Sequence, residues 1–125
     1  MSDLKSEKQI KALLMPLLDK GWRFEYTYQK GGDSSCVYIY RFIKDGNHYF
    51  EWRETSGTFE IHLFVCVKGE YRFPDPTKTY KKQARAFWWK HLFKGASVEE
   101  KRDFIGSLLR MELEKNPNNF YGIEM

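Results

Sequence analysis

Trp22-Arg23-Phe24-Glu25-Tyr26-Thr27-Tyr28-Gln29 alternates aromatic and polar side chains without a break. Successive side chains of an extended strand point to opposite faces, so this period of two predicts a half-buried β-strand with its rings in one row. Downstream, each apolar run is followed by a short turn signal. Lys30 to Ser34 leads into a second strand, Ser35 to Ile43. Asp45-Gly46 is a hairpin signal before a third, Asn47 to Glu54. Ser56-Gly57 precedes a fourth, Thr58 to Val67, and Lys68-Gly69 a shorter fifth around Tyr71 to Phe73. Short connections make consecutive strands antiparallel neighbours, so the expected sheet is a meander.

Two-residue turns would fix the register. Centred on Asp45-Gly46, the second hairpin sets Arg41 opposite Phe50 and Ile39 opposite Trp52. Centred on Ser56-Gly57, the third sets Arg53 opposite Glu60 and Glu51 opposite His62. One face then carries Val37, Ile39, Ile43, Phe50, Trp52, Phe59, Ile61, Leu63 and Val65 and is read as the core side. The other carries Cys36, Tyr38, Tyr40, Phe42, Tyr49, Glu51, Arg53, Glu60, His62, Phe64 and Cys66. The face joined by the first strand's aromatic row is open at this point.

Upstream, Ser6 and Gln9 have capping-box spacing, and Ile10, Leu13, Leu14, Leu17 and Leu18 recur as one helix face. Pro16 kinks that helix or divides it, and Gly21 ends it. After the sheet, Asp75-Pro76 reads as an N-cap followed by proline at the first helical position, opening a helix of about 18 residues towards Gly95. Its apolar side holds Tyr80, Ala84, Phe87, Trp88 and His91. Ser97 and Glu100 form a second capping box before a helix that runs to about Lys115 and stops at Asn116-Pro117. The tail, with Phe120, Tyr121 and Ile123, has enough apolar area to dock loosely. Residues 1–125 thus read as one α+β domain: an antiparallel β-meander of four to five strands, with an N-terminal helix and two C-terminal helices packed on one face in two layers.

A chain of 125 residues with 18% aromatic side chains can bury one core without disulfides or metal. Cys36 and Cys66, on strands separated by a third, would lie about 10 Å apart, beyond disulfide reach. Reduced cysteines, and an N-terminus whose run from Ala12 to Leu18 fails as a signal peptide and is too short to span a bilayer, make the cytoplasm the expected compartment, with no membrane partner.

The net charge of +4 is concentrated: residues 75–94 hold Lys78, Lys81, Lys82, Arg85, Lys90 and Lys94 against Asp75 alone. Helical spacing brings Trp89 and Phe93 round to Lys78, Lys81, Lys82 and Arg85. Cations beside exposed rings are what a phosphate backbone and an unstacked base require. A second candidate is Tyr38, Tyr40, Glu51, Arg53, Glu60 and His62, where carboxylates, phenols and an imidazole on one sheet face would suit a small polar ligand or acid–base chemistry. The bland alternatives are a solvated helix face and a sheet side decorated with ion pairs. His48, His62 and His91 and the two cysteines have no ligand spacing, no glycine-rich loop cradles a phosphate and no G-x-S-x-G occurs, so neither a metal nor a cofactor is expected. The favoured reading is a non-catalytic module that meets nucleic acid or protein through the basic helix and the aromatic sheet face, a face also suited to homodimerisation. The runner-up is a ligand or enzymatic pocket on the polar face.

Overall fold

In the computed structural model, which describes residues 4–30, 36–57 and 60–125, the alternation after Trp22 becomes the outermost strand of a five-stranded antiparallel sheet. The strands β1 (Arg23–Lys30), β2 (Cys36–Asp45), β3 (His48–Thr55), β4 (Ile61–Val67) and β5 (Glu70–Arg72) are ordered as in the chain. The N-terminal helix is divided at the proline into α1 (Leu4–Leu13) and α2 (Met15–Asp19). After the sheet come α3 (Pro76–Thr79), α4 (Lys81–Lys90) and α5 (Val98–Lys115), then a ribbon of β6 (Asn119–Phe120) and β7 (Ile123–Glu124).

The register of the β2–β3 hairpin differs from the expected one. Phe42 faces Phe50, Tyr40 faces Trp52 and Arg41 faces Glu51, with a bulge between Ile43 and Asp45. The cause is Asp45, which lies in the strand opposite His48 and not in the turn. Its carboxylate accepts from the Asn47 backbone N–H and contacts His48 Nδ1, both at 2.9 Å. Gly46-Asn47 becomes the turn, and Lys44 is left over as the bulge. A one-residue slip exchanges the two sides of a strand. Tyr38, Tyr40 and Phe42 therefore lie on the core side, and Ile39, Arg41 and Ile43 on the other.

The β3–β4 register is displaced by two residues, which preserves the faces. Trp52 faces Leu63, Arg53 faces His62 and Glu51 faces Phe64. The Thr55 N–H donates to the Glu60 carbonyl at 3.1 Å, which extends the pairing beyond Glu54 and Ile61. Phe59, assigned above to the core face, lies outside the described residues. At β4–β5, Lys68 and Gly69 have φ of 53° and 80°, both positive as a two-residue hairpin turn requires.

The row on β1 joins the core side, with Phe24 opposite Phe42 and Tyr26 opposite Tyr40. Onto Phe42, Phe50, Trp52, Leu63 and Val65 pack Ile10 of α1, Leu17 of α2 and Leu14 between them, and Leu109 and Leu113 from α5. Each such large side chain, buried fully, contributes about 1.5–3 kcal/mol. The tail docks tightly, not loosely: Phe120 and Ile123 are both 0% exposed. Two features fix the helices, one a close apolar contact and one polar. Gly106 meets Leu13, where an added Cβ would come within 2.8 Å of its methyl carbons, so α5 approaches α1 closely. Arg102 of α5 forms two 2.8 Å hydrogen bonds to Glu54 of β3, whose Oε2 also accepts from the Trp52 indole at 2.9 Å. Among the described residues no helix is long and apolar enough to cross a membrane.

Candidate functional site

The basic segment begins where Asp75 accepts from the Thr77 backbone N–H at 3.1 Å and Pro76 starts α3. The expected long helix is broken at Tyr80, which leaves helical geometry at φ −110° and ψ 60°. Its hydroxyl donates to Glu112 of α5 at 3.0 Å, a tertiary tether that turns the chain between α3 and α4. Helix α4 then stops at Lys90, before Gly95.

Only a narrow stripe of α4 faces the protein. Ala84 is buried, and Phe87 stacks on Phe104 of α5 with ring centroids 4.2 Å apart and planes parallel within 1°. His91 lies against Phe87, with its Nε2 3.5 Å from the Glu100 carboxylate. Trp88, assigned by spacing to this apolar side, is instead 62% exposed, because the stripe is already filled by Ala84, Phe87 and His91. Trp89 is 70% and Phe93 98% exposed. Lys78, Lys81, Lys82 and Arg85 are exposed as well.

A hollow of about 410 Å³ is lined by Lys81, Arg85, Trp88, Trp89 and Leu92 together with Thr77 and Ala84. A larger one of about 620 Å³ adjoins it, sharing Thr77 and Trp88. Its other wall is the first half of β4, since β5 pairs only with Val65, Cys66 and Val67 and leaves residues 61–64 at the sheet margin. Phe73 and Lys101 also line it.

The polar sheet face is arranged differently from its sequence pattern. Tyr40 is buried on the core side, and burial, with the nearby Glu54 charge adding to it, raises its phenol pKa well above the ordinary range. Tyr38 shares that side, so neither meets Glu51, Arg53 or His62. Glu51 is 0% exposed although no charge faces it across β4. Its Oε2 accepts from Arg41 Nε at 2.7 Å and from Arg41 Nη2, and its Oε1 from Arg53 Nη2 at 2.7 Å. The guanidinium of Arg41 lies 4.6 Å from the Tyr49 ring centre and that of Arg53 4.3 Å from Phe64. Burial opposes the Arg41 charge, but hydrogen bonding and attraction from Glu51 outweigh it, and its pKa is raised. His62 is exposed, with Nε2 3.4 Å from Glu60. Both oxygens of Glu51 are committed to arginine, so the Glu51–His62 pairing drawn from the expected register does not form.

Arg41, Trp88, Phe73, Phe64 and Lys101 are not among the candidate site residues that the sequence pattern gives. For Arg41 there was a signal: the expected register set a guanidinium against Phe50 on an apolar face. The others are gathered by tertiary packing. Cys36 and Cys66 are free thiols on opposite faces of β2 and β4, and no group of three His, Cys, Asp or Glu side chains suited to a metal occurs among the described residues. No family model, curated protein or solved structure matches this chain.

Proposed function

We propose that this protein is a non-catalytic binding module that takes single-stranded nucleic acid along α4. The observation that carries the reading is the pair Trp88 and Trp89, 62% and 70% exposed, lining one hollow with Lys81 and Arg85. The apolar faces of exposed indoles are relieved of their hydration cost only when something covers them, and bases offer flat π-faces for that purpose. The neighbouring cations match a phosphate backbone. A membrane surface would favour an apolar stripe set apart from the charges, whereas here cations and rings share one hollow. A duplex keeps its bases stacked inside, which leaves the indoles without partners.

The test is fluorescence titration with single-stranded oligonucleotides, duplex, polyglutamate and anionic vesicles. With Lys78, Lys81, Lys82 and Arg85 each meeting a phosphate, log affinity falls against log salt with a slope of about −3, roughly 50-fold between 50 and 200 mM salt. Double substitution K81E/R85E removes binding. Equal affinity for polyglutamate would assign the surface to an acidic protein, and preferential capture by vesicles to a lipid surface; either result overturns the proposal, as does binding indifferent to salt.

A further inference from the structure

We propose that the bound strand does not end at α4 but crosses Trp88 into the second hollow and continues onto the open sheet face, where Phe73 stacks a base and Arg53 takes a phosphate. This rests on the reading of α4 as a nucleic-acid surface. Three observations carry it. The two hollows adjoin through Thr77 and Trp88, so a strand leaving the first enters the second without a gap. The second hollow repeats the chemistry of the first: Lys78 and Lys101 line it beside Phe73, a ring 70% exposed. Phe73 is also held in place, edge-on to Phe64 with centroids 5.2 Å apart, and Phe64 in turn lies under Arg53. Rings and cations therefore follow one another from α4 to the sheet.

The sealed carboxylate explains how the far end of that path is cationic. Glu51 grips Arg53 through Nε and Nη2, leaving Nη1 outside those bonds, and the side chain is 28% exposed. Two guanidiniums over one carboxylate leave a net positive charge, and the negative partner is wholly covered. A guanidinium already lying over a ring and fixed by a carboxylate loses little freedom when it meets a phosphate. Of the two acids that line the second hollow, Asp75 is engaged at the start of α3 and Glu60 faces His62.

The experiment compares oligonucleotides of about 4 and about 12 nucleotides, both within the range of known single-strand site sizes, on the full chain and on Phe73→Ala and Lys101→Ala. Both substitutions lie at the surface of the hollow, and circular dichroism checks that the fold is kept. The expected result is that the long strand binds the unaltered protein at least 10-fold more tightly than the short one, with a steeper salt slope. Phe73→Ala and Lys101→Ala each lose most of that gain and bind the short strand as before. If both variants bind the long strand like the unaltered protein, the route over the sheet is wrong while the α4 reading stands. If neither length binds the unaltered protein, the α4 reading falls, and the route with it.

Discussion

Helices α4 and α5 are separated by only a short link, yet they bury their residues in opposite proportions. Along α5, Arg102, Gly106, Leu108, Leu109 and Leu113 are all buried, while along α4 only Ala84 is. Helix α5 starts with a complete capping box, in which Ser97 and Glu100 each accept from the other's backbone N–H at 3.1 Å. Helix α4 starts at Tyr80 with no side-chain cap. The comparison teaches where the fold ends and the surface begins: α5 holds the sheet, and α4 rests on α5 and turns its larger side chains outward.

The contrast is broken most severely at Arg102. Replacing it with Ala leaves Glu54 buried without its cation, and urea denaturation should show a loss of about 3–5 kcal/mol. Leu109→Ala follows at about 2–5 kcal/mol by the same measurement. For Gly106→Ala the new Cβ meets Leu13 within 2.9 Å even of that residue's own Cβ, a clash costing about 1–3 kcal/mol and visible as a lowered thermal midpoint. On the other helix Trp89→Ala should change stability by no more than about 0.5 kcal/mol. It should nevertheless weaken oligonucleotide binding by about 1–3 kcal/mol, read by anisotropy. A large loss of stability at Trp89 would erase the distinction between the helices.

The smallest effect concerns the joint between them. Hydrogen bonding to the Ser97 backbone, with the Ser97 side chain and the His91 charge adding to it, lowers the Glu100 pKa below 4.5. A carboxylate whose folded pKa is depressed contributes stability that is complete above its ordinary value and is lost as pH falls through the lowered one. Denaturation midpoints of Glu100→Gln should therefore be furthest from those of the unaltered protein above the ordinary carboxylate range and converge on them as pH falls through the lowered pKa.

Much of this fold was legible because local signals and packing agreed. Alternation on β1, the Lys68-Gly69 turn, Asp75-Pro76 and the Ser97–Glu100 box all act within a few residues. The register of β2 was not, since that strand is apolar on both sides: Tyr38, Tyr40 and Phe42 could face the helices as well as Val37, Ile39 and Ile43. Nor was the break at Tyr80, which depends on Glu112, distant in sequence. The same division runs through the candidate site. Lys81, Lys82, Arg85 and Trp89 follow helical spacing and could be read from it, but Trp88 could not, because which rings fill the narrow stripe against α5 is decided by packing. The adjoining hollow is assembled from β4, α3 and α5, and Glu51 meets Arg41 only in the true register.

The bulge at Lys44 has a consequence for how the chain reaches this state. A strand that can offer a greasy surface to either side can be zipped to its neighbour in two ways, and the wrong way brings Arg41 against Phe50. The extra residue makes the correct hairpin the one in which opposite charges meet and Phe42 lies beside Phe50. Deleting Lys44 from the strand should therefore favour the misaligned pairing and lower the denaturation midpoint.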